Sequence, residues 1–100
     1  MKDQLSQLVE GVLDEASFLL FLKALADDWN DERAKEALHP SPAFGPGANG
    51  WEHGTIGQFL ESMVAWANAK PIEGTRPNEL APENIWRRAA HIVLAGKYYE

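Results

Sequence analysis

The sequence predicts a small all-α domain, a bundle of about four helices with a long Pro/Gly-rich loop packed across it. Three observations lead there. Apolar residues recur at helical spacing in three blocks, capping residues stand where the blocks begin, and no period-2 run bounded by turns marks a strand. The 100 residues make one domain, 1–100, and four Trp, four Phe and two Tyr supply one core. Two Pro/Gly-rich connections, Pro40 to Gly54 and Pro71 to Pro82, separate the blocks.

The first block runs from Lys2 to Leu38. Leu5, Leu8, Val9 and Val12 give a short amphipathic segment interrupted around Gly11. Asp14 is the N-cap of the next helix, and Leu13 and Phe18 are spaced as a hydrophobic staple. Phe18, Phe21, Leu22, Leu25 and Trp29 share one face. Asn30 is expected to end that helix and cap a short one reaching Leu38, before Pro40.

The second block opens with Thr55 and Gln58, spaced as a capping box, so its helix begins at Ile56 and ends before Pro71. Its expected buried stripe is Ile56, Phe59, Leu60, Met63, Val64 and Ala67, with Trp66 beside it. The third block has Asn84 as expected N-cap and runs to about Lys97. Ile85, Trp86, Ile92, Val93 and Leu94 spread over more than one face, as in a helix packed centrally between neighbours, and Ala89, Ala90, Ala95 and Gly96 permit close contact.

Gly45, Gly47 and Gly50 fall in the G-x-G-x-x-G spacing of a dinucleotide loop. That chemistry needs a strand before the loop and a helix starting within it. Here "HPSPAF" precedes it, and the helix waits until Ile56, so the glycines read as a turn-rich connector with a tight turn at Asn49-Gly50. Phe44 and Trp51 are the anchors expected to fasten this loop. A buried Trp51 would be such an anchor, whereas an exposed one would mark a partner-binding hot spot.

Asp27, Asp28, Asp31, Glu32 and Glu36 form the densest acidic cluster. It reads as a solvated helix face, a surface for a basic protein partner, or carboxylates able to hold a divalent cation. His39, His53 and His91 stand on different elements without metal-ligand spacing. His53, next to Glu52, is the one with suggestive neighbours, as a backbone-bonded loop histidine or a general base. Arg87 and Arg88 fall in the first turn expected for the last helix, with Asp27, Asp28 or Glu83 as partners.

The passages "SFLLFLKALADDW", "GPGANGWEHGTIGQFLESMVAWA" and "IWRRAAHIVLAGKYYE" together resemble a family of short, mostly uncharacterised bacterial proteins. The resemblance spans about Asp14 to Glu100 and is most specific from Trp51 to Ile56, where this chain has His53 in place of the family's Asn. It implies a stand-alone domain and no settled activity.

The absence of cysteine excludes disulfides and thiolate sites and fits a cytoplasmic setting. A net charge of −6 argues against nucleic acid, and no apolar run approaches a membrane span. The expected function is a non-catalytic cytoplasmic protein-interaction module, with no cofactor. Its candidate interaction residues are Trp51, Glu52, His53, Asp27, Asp28, Asp31 and Glu32. The alternatives are an acidic immunity-type inhibitor of a basic toxin and a small metal-dependent hydrolase using Glu52, His53 and the Asp27 to Glu32 carboxylates. Homodimerisation through Trp-bearing faces is the further possibility.

Overall fold

The computed structural model describes residues 4–43, 45–70 and 82–99, so Phe44, Pro71 and Arg76 lie outside it. Its elements are α1 (Gln4–Glu10), α2 (Glu15–Leu38), α3 (Ile56–Ala69) and α4 (Pro82–Tyr98), with no strand among the described residues.

Asp14 caps α2 as expected: its Oδ1 accepts from the Ser17 amide at 2.8 Å, and the Ser17 hydroxyl accepts from the Asp14 amide at 3.1 Å. The helix does not stop at Asn30. It continues through that exposed residue to Leu38. Asn in a helix interior costs only a few tenths of a kcal/mol, about 0.5, too little to outweigh the packing of Trp29 and the hydrogen bonds that Glu32 accepts from Asn49 and Trp51 on either side.

Thr55 caps α3 by accepting from the Gln58 amide at 3.1 Å, while the Gln58 side chain accepts from Gly54, one residue before the cap, at 3.2 Å. α4 starts at Pro82 and not after Asn84. Proline suits a first helical position, since its missing N–H is one of the donors a helix start leaves unbonded. Arg87 and Arg88 consequently fall in the second turn, where the unfavourable field of a helix N-terminus on a cation has faded. Arg88 donates to the Ala67 carbonyl near the end of α3 at 3.2 Å, and its guanidinium lies 4.7 Å from the Trp66 ring centroid.

α4 is the central helix, packed against α1, α2 and α3. α2 runs in the same direction as α4, with Phe18 against Trp86 at one end and Asp28 bonded to Lys97 at the other. α3 runs antiparallel to it, since Ser62 bonds the Ala95 carbonyl while Arg88 reaches Ala67. The core joins Leu5, Val9, Val12, Phe21, Leu25, Trp51, Ala90 and Leu94.

One expected face is misplaced. Ile56, Leu60 and Val64 of the proposed α3 stripe are exposed, and Ser62 is buried instead. The cause is Gly96, which lets α3 approach so closely that a Cβ there would come within 2.6 Å of the Phe59 ring and 3.0 Å of Met63. Phe59, Ser62, Met63 and Trp66 therefore take the inner side, with Trp66 stacked on His91 at 6.0 Å.

Candidate functional site

The acidic residues of α2 and the glycine-bearing loop meet. Asp28, Asp31, Glu32 and Glu36 stand at i, i+3, i+4 and i+8, one face of a continuous helix. Glu32 is fully buried, and its Oε1 accepts from the Asn49 amide at 2.8 Å and the Trp51 amide at 3.2 Å. Its Oε2 takes a hydrogen bond from Arg33 at 2.8 Å, and that guanidinium lies 4.5 Å from the Trp29 ring centroid. Glu36 accepts from the Ser41 amide at 2.6 Å, the Ser41 hydroxyl, and the Ala48 amide at 2.9 Å. These bonds, the Ser41 hydroxyl first, hold the Glu36 carboxyl below its ordinary pKa.

The loop answers the question its glycines raise. The Gly45, Gly47 and Gly50 amides bond the carbonyls of Pro42, Trp51 and Gly47, so none is presented to a ligand. The bond from Gly50 back to Gly47 closes a turn with Ala48 and Asn49 at its centre, and Gly50 follows with φ +89°. The loop amides that do hold an anion are those of Ser41, Ala48, Asn49 and Trp51, and the anions are Glu36 and Glu32 of the same chain.

Asn49 extends the joint with its side chain, donating to the Asp28 carbonyl and the Asp31 carboxylate at 3.0 Å each and accepting from Lys35 at 2.8 Å. Lys35, foremost, and Asn49 hold the Asp31 carboxyl below its ordinary pKa.

Trp51 is buried, at 8 % exposure, which makes it a core anchor. Its ring meets Trp29 edge-on at 5.0 Å and stacks on Phe59 at 6.2 Å. Its indole N–H donates to Asp28 Oδ2 at 2.8 Å, and the buried Lys97 ammonium donates to the same oxygen at 2.8 Å. One carboxylate oxygen therefore ties α2, the loop and α4 together.

Glu52 and His53 serve the end of α4, whose last carbonyls have no partner within the helix. The Glu52 amide donates to the Lys97 carbonyl at 2.9 Å, and the Glu52 residue is itself exposed. His53 Nε2 lies 2.7 Å from the Tyr99 carbonyl, which fixes that nitrogen as the protonated one. The Ser62 hydroxyl bonds the same carbonyl and that of Ala95.

Of the sequence-predicted residues, the structure brings Asp28, Asp31, Glu32, Trp51, Glu52 and His53 into this one joint. Asp27 stays outside it, on the exposed side of α2 with Lys23. Lys97, Asn49 and Ser62 are the members that spacing did not single out. Lys97 carried a signal, as a basic residue among the apolar residues closing the last helix. Among the described residues no group of three His, Cys, Asp or Glu side chains is arranged to hold a metal ion.

Fold and joint define a small helical protein whose glycine-bearing loop is tied down by its own carboxylates. The chain belongs to a family of unknown function, DUF7660, which matches residues 14–100. No curated protein and no solved structure matches it. No helix among the described residues is long and apolar enough to cross a membrane.

Proposed function

We propose that the chain is a non-catalytic protein-interaction module of the bacterial cytoplasm, a helical scaffold presenting one apolar helix face. The observation supporting this is the row Ile56, Leu60 and Val64 on the outside of α3, at 80 %, 51 % and 61 % exposure. Residues four apart form one ridge on a helix. Glu61 is the only charged residue within α3, so the ridge is an uncharged strip on a chain of net charge −6. Isolated exposed apolar residues are ordinary, but an aligned row rimmed by polar surface is characteristic of contact sites. The chemistry suits a partner protein offering a complementary apolar helix stripe.

In this reading the Pro40 to Gly54 connection is a lid across the bundle, and Trp51, Glu52 and His53 hold the scaffold rigid behind the recognition face. The cytoplasmic setting rests on the absence of cysteine, and the bacterial origin on the family resemblance. An acidic toxin inhibitor or a metal-dependent hydrolase would draw on Asp28, Asp31 and Glu32, whose oxygens are bonded within the chain.

The test is affinity capture with the unaltered chain and with Ile56→Lys/Val64→Lys, which leaves the core intact. A specific partner recovered by the first and lost by the second is the expected result. Equal recovery by both would remove the role of α3, and no partner together with turnover of a small molecule would overturn the module.

A further inference from the structure

The loop of the joint contains the dipeptide Asn49-Gly50, and none of the other asparagines, Asn30, Asn68, Asn78 and Asn84, precedes a glycine. Asparagine is a thermolabile residue, and a following glycine lacks the Cβ that would shield its own amide nitrogen. That nitrogen is then free to attack the asparagine side-chain carbonyl carbon and close a five-membered ring.

In the folded chain every group that would take part is bonded elsewhere. The Gly50 amide donates to the Gly47 carbonyl at 2.9 Å. Asn49 Nδ2, the leaving group of such a closure, donates to the Asp28 carbonyl and to Asp31 Oδ2 at 3.0 Å each, and Oδ1 accepts from Lys35 at 2.8 Å. Ring closure therefore requires the turn to open first. Water is not excluded from it, because Asn49 and Gly50 are only half-buried and the space beside the Gly50 Cα is open. Asn49 also borders two hollows, one of about 440 Å³ beside Asp27 and Asp31 and one of about 260 Å³ beside Leu94 and Tyr98.

We infer that Asn49 is a latent deamidation site, kept closed by the joint, whose conversion to a carboxylate unfastens the loop irreversibly. The Gly50 nitrogen loses its proton and bonds to Asn49 Cγ, the Cγ–Nδ2 bond breaks, and ammonia leaves with that proton. Water then adds across a C–N bond of the ring, which restores an amide N–H and leaves aspartate or isoaspartate at position 49. Solvent water is the only co-reactant. The Nδ2 donor is replaced by an anionic oxygen facing the Asp28 carbonyl and the Asp31 carboxylate, so two attractions become repulsions. Isoaspartate also lengthens the backbone by one carbon between the Ala48 and Trp51 amides, which then no longer match Glu36 and Glu32. This site is separate from the outer face of α3 and does not rest on it.

The first test keeps the unaltered chain in mildly alkaline buffer, folded and in concentrated urea, and follows the gain of one mass unit at each asparagine by peptide mapping. In urea, position 49 converts ahead of the other asparagines. In the folded chain it converts at least about tenfold more slowly, as a group protected by local closure. Glu36→Ala unties the loop at Ser41 and Ala48 without touching Asn49. It raises the folded rate at least about threefold, the effect of one net hydrogen bond, with the helices retained by circular dichroism. No preference for position 49 in urea, equal rates folded and unfolded, or a folded rate unmoved by Glu36→Ala would overturn the inference.

The second test compares hydrogen exchange in the unaltered chain, Asn49→Asp and Asn49→Ala. In Asn49→Asp the amides of Ala48 and Trp51 exchange at least about tenfold faster than in the unaltered chain, while those of Phe21 and Leu94 keep their protection. Asn49→Ala, which loses the side-chain bonds without gaining a charge, falls between the two. Unchanged exchange in Asn49→Asp would overturn the release of the loop, and equal exchange in the two variants would overturn the part assigned to charge.

Discussion

The Glu32 carboxylate occupies the space that any side chain at position 47 would need: a Cβ built on Gly47 overlaps its carboxyl group. The glycine is thus required by Glu32 of α2, whose carboxylate is held there by the Asn49 and Trp51 amides. Gly47→Ala is expected to cost about 1–3 kcal/mol, the usual range for forcing atoms into a packed site. In a Glu32→Ala background the same change becomes nearly neutral, because the clash is gone. Urea denaturation of the four chains, followed by tryptophan fluorescence, gives the coupling directly, and additive losses would count against the contact.

Asp28 and Lys97 form a second testable pair. Asp28→Asn keeps an oxygen for the Trp51 indole but leaves the buried Lys97 ammonium without its counter-charge. Breaking one side of such a pair costs about 3–5 kcal/mol. Lys97→Met added to Asp28→Asn restores part of that loss. Denaturation midpoints of the single and double variants measure it, and no recovery in the double variant would contradict the pairing.

Acid should release the loop. Glu36 and Asp31 both have carboxyls held below their ordinary pKa, by Ser41 and by Lys35 respectively as the leading causes. Groups depressed in the folded state contribute stability that is fully present above the ordinary carboxylate range, about pH 4, and lost as pH falls through the folded values. Stability against urea therefore declines below about pH 4, and Glu36→Gln makes that decline shallower. An unchanged acid limb in Glu36→Gln would show that this carboxylate does not contribute to it.

Gly96→Ala probes the α3–α4 contact. The added methyl meets the Phe59 ring at 2.6 Å and Met63 at 3.0 Å, so α3 must shift outward. The expected loss is about 1–3 kcal/mol, with a change in near-ultraviolet dichroism as Phe59 moves relative to Trp51. Thermal unfolding that matches the unaltered chain would show that the approach is looser than described.

Much of this fold is legible from local chemistry. Asp14 and Thr55 cap helices because their side-chain oxygens sit beside unbonded amides, and that depends only on near neighbours. The face Phe18, Phe21, Leu22, Leu25 and Trp29 is set by helical period alone, and all five belong to the core or pack on it. Asn30 and Asn84 misled for a common reason. Each has the chemistry of a cap, but Glu32 and Trp29 carry α2 past the first, and Pro82 starts α4 ahead of the second.

The joint was legible only in fragments. The acidic row and the glycine spacing both stood out in the sequence, yet nothing local says that the carboxylates of one would fill the amides of the other. The rotation of α3 was hidden too, because it is set by Gly96, on a different helix, and not by the apolar period of α3.

The hydrogen bonds of the Asp28 carboxylate bear on how the chain closes. Its partners lie 23 and 69 residues away, at Trp51 and Lys97. Closing loops that long costs chain entropy before those bonds offset it, and non-local pairing of this kind slows folding. α2 and its Asp14 cap can assemble early from neighbours alone, whereas the oxygen joining three segments is a latch that engages late, once α4 has docked.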